Sequence, residues 1–224
     1  MELGLVRPSS VPYASSIVMV KKKDGPLRMC IYFRELNKKK VMNIYLIQRI
    51  DELHGANLFS KIDLRSGYHQ IRMKEEDIPK TTFMCNYGNF EFVGMPFGLK
   101  NSPVTFQSCM KNIFHKQIRK FVLVFFYDIL IYSKTWKEHL HHLQEVLKIL
   151  HDQSLFAKLS KCEFGFTELL YLGHIIGQYG VKVEMEKIKA IIECTRPKNL
   201  TELRGFTGIC TYYRKFMRGF SQIS

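Results

Sequence analysis

The sequence lacks the signals of a secreted or membrane protein. Its N-terminus has no long apolar stretch of the kind that forms a signal peptide, and no apolar run reaches the length of a membrane-spanning helix. Its six cysteines are widely spaced and form no Cys-x-x-Cys pair, so neither a zinc site nor a redox motif is indicated. We therefore expect an intracellular protein, cytoplasmic or nuclear, that does not act at a membrane.

Acidic residues are scarce relative to basic ones. The 224 residues include 20 Asp and Glu against 34 Lys and Arg, which gives a formal net charge of +14. This surplus predicts attraction to a polyanion such as nucleic acid, and a merely basic soluble protein is the alternative. The hydrophobic content of 46% indicates a globular chain with a sizeable core. Neither internal repeats nor low-complexity segments are present, so the length predicts one large domain or two small ones.

The apolar patterns mix strands and helices without regular β-α-β alternation, which is typical of an α+β fold. Apolar or alternating runs predict strands at Ser16–Val20, Leu58–Leu64, Gln70–Met73 and Leu169–Ile176, and a hairpin over Phe121–Ser133 that turns near Tyr127-Asp128. Helical spacing and capping signals predict helices after Ser102-Pro103, along the face Trp136, Leu140, Leu143, Leu147 and Leu150, around Ile188, and from Asn199.

Asp128 interrupts Phe121–Tyr132, a run that is otherwise wholly apolar. A carboxylate is rarely buried without a partner, so Asp128 either meets a cation or sits at an exposed hairpin tip. Asp63 also ends an apolar strand. Nucleotidyl transfer by two magnesium ions needs carboxylates from separate strands, and magnesium is usually held by one or two carboxylates plus phosphate oxygens. These two residues are therefore candidate metal ligands.

Many ordered segments carry a family resemblance over essentially the whole chain. Among them are FSKIDLRSGYHQIRM (59–73), YGNFEFVGMPFGLKNSPVTFQ (87–107), DILIYSKT (128–135), KLSKCEFG (158–165), YLGHIIG (171–177) and TELRGFTGICTYYRKF (201–216). On these segments the chain resembles the reverse transcriptase of gypsy-type long-terminal-repeat (LTR) retrotransposons. No single segment would be specific, but their number and order are.

The resemblance implies a right-hand polymerase fold with fingers, a ferredoxin-like palm and a partial thumb. It implies one reverse transcriptase domain over 1–224: a fingers-rich part at 1–62, the palm with part of the fingers at 63–176, and a thumb-like or connection part at 177–224. No ribonuclease H, integrase or protease is expected. The implied activity is RNA-directed DNA polymerisation, with an RNA template, a DNA primer, deoxynucleotides and two Mg²⁺ ions; the resemblance implies no oligomeric state.

The resemblance also assigns site residues. Asp63 and Asp128 match catalytic, metal-binding carboxylates. The positions that match contacts to the incoming nucleotide are Lys22, Lys23, Arg28, Tyr68, Phe97 and Gly98.

One departure falls at the centre of the site. Where the family has aromatic-X-Asp-Asp, this chain has Phe125-Phe126-Tyr127-Asp128, so Tyr127 replaces the first Asp. We expect that Asp128 cannot take over without a register shift, because adjacent strand residues point to opposite faces.

Further departures extend beyond that hairpin. They are Tyr32 in place of Asp, Met84 in place of Arg, Leu46 and Gln48 in place of prolines, and a helix before His54 that is about one turn short. We therefore expect a truncated, degenerate copy with impaired catalysis. Three alternatives are an active RNA-directed DNA polymerase, a non-catalytic nucleic-acid-binding remnant of the same fold and an unrelated basic scaffold protein.

Overall fold

A four-stranded antiparallel sheet lies at the centre of the computed structural model, which describes residues 4–21, 25, 27–39, 53 and 55–216. Its strand order is β7-β8-β4-β9. The bounds are Leu58–Asp63 for β4, Val122–Phe125 for β7, Asp128–Ser133 for β8 and Glu163–Phe166 for β9. The predicted strand ending at Asp63 and the predicted hairpin are thus confirmed, and the hairpin turns at Phe126-Tyr127.

Smaller sheets and several helices surround this central sheet. One sheet has the order β1-β6-β5, another has the order β10-β11-β12, and β2 and β3 form a two-stranded ribbon. The strands are β1 Val6–Pro8, β2 Ile17–Lys21, β3 Leu27–Ile31, β5 Phe83–Cys85, β6 Gly88–Phe92, β10 Glu168–Tyr171, β11 His174–Gly177 and β12 Gly180–Val183. The helices are α1 Arg34–Lys38, α2 Ser102–Ile113, α3 Trp136–Asp152, α4 Met185–Ile192 and α5 Leu200–Tyr212.

Both faces of the central sheet are covered, which explains why β7 and β8 are so apolar. On one face, Ile62, Ile129 and Ile131 pack with side chains from α2 and α3. On the other face, Phe59 and Leu130 belong to a second cluster, to which β10 and β11 contribute. A strand buried on both faces reads as a continuous hydrophobic run rather than an alternating one.

The long helix α3 confirms the predicted helix and part of its predicted apolar face, because Leu150 is buried and Leu143 packs against the core. Thr135 caps it in a capping box with Glu138, as expected of a Thr-x-x-Glu start. The predicted apolar face includes Leu140 and Leu147, and both are exposed. His139 is fully buried instead. Its ring satisfies two buried hydroxyls of the sheet, which offsets the cost of enclosing polar groups.

Two predicted strands differ in the structure. Gln70–Met73 is not a strand, because Gly67–Gln70 forms a 3₁₀ turn. The predicted strand Leu169–Ile176 is two strands, β10 and β11, joined by a tight turn. Leu172 and Gly173 have φ of 53° and 75°, a left-handed conformation typical of two-residue hairpins.

The ribbon of β2 and β3 is attached to the rest of the fold at one end. Ile17 pairs with Ile31, and both pack in a cluster with Phe33, Phe83 and Phe92. The departures at Leu46, Gln48 and His54 lie outside the described residues.

None of the helices described for this chain is long and apolar enough to cross a membrane.

Candidate active site

The two candidate carboxylates face each other across neighbouring strands. Asp63 is the last residue of β4 and pairs directly with Asp128, the first residue of β8. Residues opposite each other in an antiparallel pair point to the same face, with Cβ atoms about 4.5–5.5 Å apart. The expectation that Asp128 would need a register shift is therefore wrong. The turn consists of Phe126 and Tyr127, so β8 begins at Asp128 in register with Asp63.

The pair concentrates negative charge in a partly buried place. Burial and, to a smaller extent, the charge of Asp63 raise the pKa of Asp128 to about 6, against the opposite effects of Lys61 and Lys161. Lys161 Nζ lies 3.6 Å from Asp63 Oδ2. Lys61 forms an ion pair with Glu163 on β9. A cation near both carboxylates would relieve the repulsion between them.

These donors fit one divalent cation better than two. Within the described ranges, no three His, Cys, Asp or Glu side chains gather around a common point. Two facing carboxylates match the usual protein contribution to one magnesium ion, with phosphate oxygens and water completing the shell. Tyr127 offers a phenol oxygen and brings no carboxylate charge. Asp63 and Asp128 are therefore the residues that would hold such an ion.

Buried hydrogen bonds fix the turn that carries Tyr127. Phe126 has φ of 50°, which is strained for a bulky residue. The Phe126 N–H donates to Gln107 Oε1 at 2.6 Å, and Gln107 Nε2 donates to the carbonyl of Val124 at 2.8 Å. The Leu64 N–H donates to the Tyr127 carbonyl at 3.0 Å. The backbone of Tyr127 is thus held on both sides.

The side chain of Tyr127 lies above a glycine and remains accessible. A Cβ added to Gly67 would lie 3.1 Å from the Tyr127 Cβ and equally close to the ring of Phe106. Gly67 therefore allows the hairpin tip to approach. The Tyr127 ring is 6.5 Å from the Tyr68 ring, measured between centroids, and the residue is 38% exposed.

A cleft of about 730 Å³ opens over this region. Leu27 and Met29 of the ribbon line it from above. The polar and aromatic side chains that line it are Asp63, Arg65, Ser66, His69, Phe97, Tyr127, Lys158, Ser160 and Lys161. A concave site of this size with convergent polar groups is the usual form of a ligand site.

The structure brings several predicted residues together. Tyr68 is buried, with its ring centroid 4.9 Å from that of Phe97. Burial raises the pKa of Tyr68, and Tyr127 adds a smaller effect in the same direction. Gly98 has φ of 95°, and its carbonyl accepts a hydrogen bond from Asn37 Nδ2 at 2.8 Å.

The remaining predicted residues are Arg28, Lys22 and Lys23. Arg28 lies on β3, paired with Val20. Lys22 and Lys23 lie outside the described residues, as does the side chain of Arg28.

Sequence reasoning missed Gln107 and the basic side chains of the cleft, Arg65, Lys158 and Lys161. All four lie within the segments 59–73, 87–107 and 158–165 that carry the resemblance. The Lys158 N–H donates to the Asp63 carbonyl at 2.8 Å, and only the fold reveals this contact.

The fold defines the class of protein. An antiparallel palm sheet with facing carboxylates, flanked by a ribbon and a cleft, is consistent with the right-hand polymerase fold. Residues 20–176 match the family described as "Reverse transcriptase (RNA-dependent DNA polymerase)". The chain belongs to this family, whose members use divalent metal ions.

Solved structures and curated relatives agree with that assignment. A foamy viral protease-reverse transcriptase in complex with double-stranded DNA superposes with a TM-score of 0.88 at 26% identity, covering 99% of this chain and 40% of that one. The same viral protein in complex with an RNA/DNA hybrid gives a TM-score of 0.81 at 26% identity, covering 98% and 30%.

Two curated relatives are transposon polyproteins. The retrovirus-related Pol polyprotein from transposon 297 of Drosophila melanogaster is 40% identical over 230 residues, which cover 99% of this chain and 22% of the polyprotein. The transposon Tf2-3 polyprotein of Schizosaccharomyces pombe is 35% identical, covering 100% and 17%. The chain thus spans about a fifth of the length of the curated relatives it matches.

Proposed function

We propose that this chain is the reverse transcriptase domain of a gypsy-type LTR retrotransposon, in a degenerate copy whose nucleotidyl transfer is impaired. The observation that carries the proposal is Tyr127, which lies in the turn beside Asp63 where the polymerase pattern has a carboxylate. Polymerisation with two ions requires enough negative charge to hold both cations against the reacting phosphate. Asp63 and Asp128 supply that charge for one Mg²⁺ ion.

The ligands proposed for the site follow from the family and from the composition of the cleft. An RNA template paired with a DNA primer would lie across the palm sheet, and a deoxynucleotide would enter beneath the ribbon. Tyr68, Phe97 and Gly98 are proposed to contact the nucleotide, together with Lys22, Lys23 and Arg28. Residues 1–62, 63–176 and 177–224 are proposed as fingers-rich, palm and thumb-like parts, and the site of action is proposed to be the cytoplasm or nucleus.

Primer extension on an RNA template tests the proposal directly. The native chain is expected to extend a primer no faster than background with Mg²⁺ or Mn²⁺. Tyr127→Asp restores the missing charge and is expected to give weak incorporation, while Tyr127→Asn, of the same size but uncharged, gives none. Processive synthesis by the native chain would contradict the proposal.

A non-catalytic nucleic-acid-binding role is the second candidate. It is favoured by the charges that line the cleft, which come from three basic residues, Arg65, Lys158 and Lys161, and one carboxylate, Asp63. This lining attracts phosphates without a metal ion. Tight binding of a primer–template by a chain that cannot extend it would support this role.

A further inference from the structure

We propose that Tyr127 makes the cleft a metal-independent stacking site for an unpaired base at the end of a nucleic-acid strand. This inference rests on the nucleic-acid binding proposed above and adds a specific role for the residue that replaced the carboxylate. The site is Tyr127 with Phe97 as the aromatic surface, and Arg65, Lys158 and Lys161 as the phosphate partners.

The first step of the argument is the accessibility of two aromatic rings in one cleft. Tyr127 is 38% exposed and Phe97 is 42% exposed, although both are large apolar groups. Both line the cleft. The buried ring of Tyr68 contacts both of them, at centroid distances of 4.9 Å to Phe97 and 6.5 Å to Tyr127. Exposed aromatic rings in a groove are the usual platforms for unpaired bases.

The second step is the fixed backbone that carries the Tyr127 ring. The hydrogen bonds from Gln107 to Val124 and from Phe126 to Gln107 hold the turn, and the Leu64 N–H holds the Tyr127 carbonyl. Gly67 provides the space beneath the Tyr127 Cβ. A ring whose backbone is already fixed loses little conformational freedom when a base stacks on it.

The third step is the balance of charge around the rings. A carboxylate at position 127 would repel a phosphate and would require a divalent cation to bridge the two. With Tyr127, three cationic side chains and one carboxylate line the cleft, a net of +2 among the lining residues. The cleft can therefore hold a strand's phosphates directly, and its volume of about 730 Å³ accommodates a terminal nucleotide.

The test uses an oligonucleotide with an unpaired 2-aminopurine at its 3′ end, because this base loses fluorescence when it stacks on an aromatic ring. Binding to the full chain is measured in EDTA and then in Mg²⁺. The variants are Tyr127→Leu, which removes the ring but keeps an apolar side chain, and Tyr127→Phe, which keeps the ring. Tyr179→Leu is the matched control, because Tyr179 is 83% exposed and is not among the residues that line the cleft.

The native chain, Tyr127→Phe and Tyr179→Leu are expected to bind equally in EDTA and to quench the terminal base. Tyr127→Leu is expected to lose about 5- to 140-fold in affinity together with the quenching, as for removal of one stacking contact. The same variant is expected to bind a blunt duplex as the native chain does, because a paired end presents no free base.

Two results would overturn the inference. One is a Tyr127→Leu chain that binds and quenches like the native chain. The other is quenching that appears only when Mg²⁺ is added. If the native chain still binds a duplex in a salt-sensitive way, either result refutes only the stacking site. If the native chain binds no nucleic acid at all, the proposed function is refuted as well.

Discussion

Asp128 carries the strongest electrostatic conflict described in this chain. It opens β8 directly opposite Asp63, and its main-chain carbonyl accepts a hydrogen bond from the buried Tyr171 hydroxyl at 3.3 Å. Its position is therefore fixed by the backbone, while its charge is opposed by burial and by a like charge. Such a pair of carboxylates is typical of a site that binds a cation, because the cation offsets the repulsion between them, and it is not expected in an apolar core.

Replacing Asp128 with Asn is expected to stabilise the metal-free chain above pH 6. Because the folded pKa is about 6, above the usual value of 3.8, the folded state binds a proton more tightly than the unfolded state. The contribution of Asp128 to native stability therefore rises as the pH falls from about 7 to 4. After allowance for solvent screening, we expect a gain of about 1–2 kcal/mol for Asp128→Asn at pH 8.

The measurement is urea unfolding in EDTA at pH 8 and pH 4.5. Asp152→Asn, at the exposed end of α3, serves as the control and is expected to change little at either pH. An Asp128→Asn chain that gains as much stability at pH 4.5 as at pH 8 would show that the charge is not responsible.

At the residue scale, the sequence predicted Asp63 and Asp128 because each carboxylate ends or interrupts an apolar run. It could not predict Gln107, whose role depends on α2 crossing the hairpin. Nor could it predict that Asp128 faces Asp63, since the register depends on whether the turn contains two residues or three.

Among the elements, α3 is joined to the sheet by a buried polar chain. Ser60 Oγ lies 2.7 Å from His139 Nε2, and Ser133 Oγ lies 2.9 Å from His139 Nδ1 and 2.8 Å from His142 Nδ1. The His142 ring stacks on Phe121 with centroids 3.8 Å apart. Each ring nitrogen of His139 thus has a hydroxyl partner, and in the neutral ring one nitrogen donates and the other accepts.

Acid is expected to weaken the attachment of α3. Burial lowers the pKa of His139, and the charge of His142 lowers it further. Burial lowers the pKa of His142 as well, against the opposite effects of Glu138 and Glu145. Below the ordinary pKa of about 6.5, His139 is protonated in the unfolded state but still neutral in the folded state. The contribution of His139 to stability is therefore present above pH 6.5 and falls with acidity, by up to about 1.4 kcal/mol per pH unit.

Comparison of the native chain with His139→Gln isolates this effect. The difference between their free energies of unfolding is expected to shrink from pH 7.5 to pH 5.5. Because Asp128 is present in both chains, its opposite contribution cancels in the difference. A difference that is independent of pH would contradict the assignment, and His141→Gln, on an exposed face of α3, is the matched control.

The sequence predicted elements well where the pattern had one interpretation. The hairpin of β7 and β8 followed from an apolar run too long for one strand, and α3 followed from its helical period. The predicted apolar face of α3 was wrong in part, because Leu140 and Leu147 are exposed while His139 is buried against Ser60 and Ser133. Helical periodicity could not predict this, since a histidine ring is buried only where the fold supplies its hydrogen-bond partners. The strand predicted at Leu169–Ile176 was wrong because a glycine turn divides an apolar run without interrupting its hydrophobicity.

For the whole molecule, the net charge of +14 is expected to attract a polyanion such as nucleic acid. Part of that charge lines the cleft at Lys158 and Lys161, and part lies on α3, which packs on the opposite face of the sheet from Asp63. Only charges near the bound phosphates release counterions, so the two sets have different effects on affinity.

Affinity for duplex nucleic acid is expected to fall linearly with salt on logarithmic axes. Lys158→Gln and Lys161→Gln are each expected to reduce the slope by about one unit, as for the loss of one phosphate contact. Lys148→Gln, on the exposed side of α3, is expected to leave the slope unchanged. Fluorescence anisotropy between low and physiological salt measures all four chains, and an affinity independent of salt would contradict an electrostatic interface.

The ribbon of β2 and β3 has a consequence for amide hydrogen exchange. Its Ile17–Ile31 end is packed in a cluster, whereas Leu27 at the other end is 62% exposed and pairs with Lys21. An isolated two-stranded hairpin is marginally stable in water. We therefore expect local opening to begin at the Lys21–Leu27 pair, so that amides exchange progressively more slowly toward Ile31. Leu27 also lines the cleft. A nucleic-acid strand bound in the cleft would therefore slow amide exchange most at the Leu27 end of the ribbon, where exchange is expected to be fastest in the free chain.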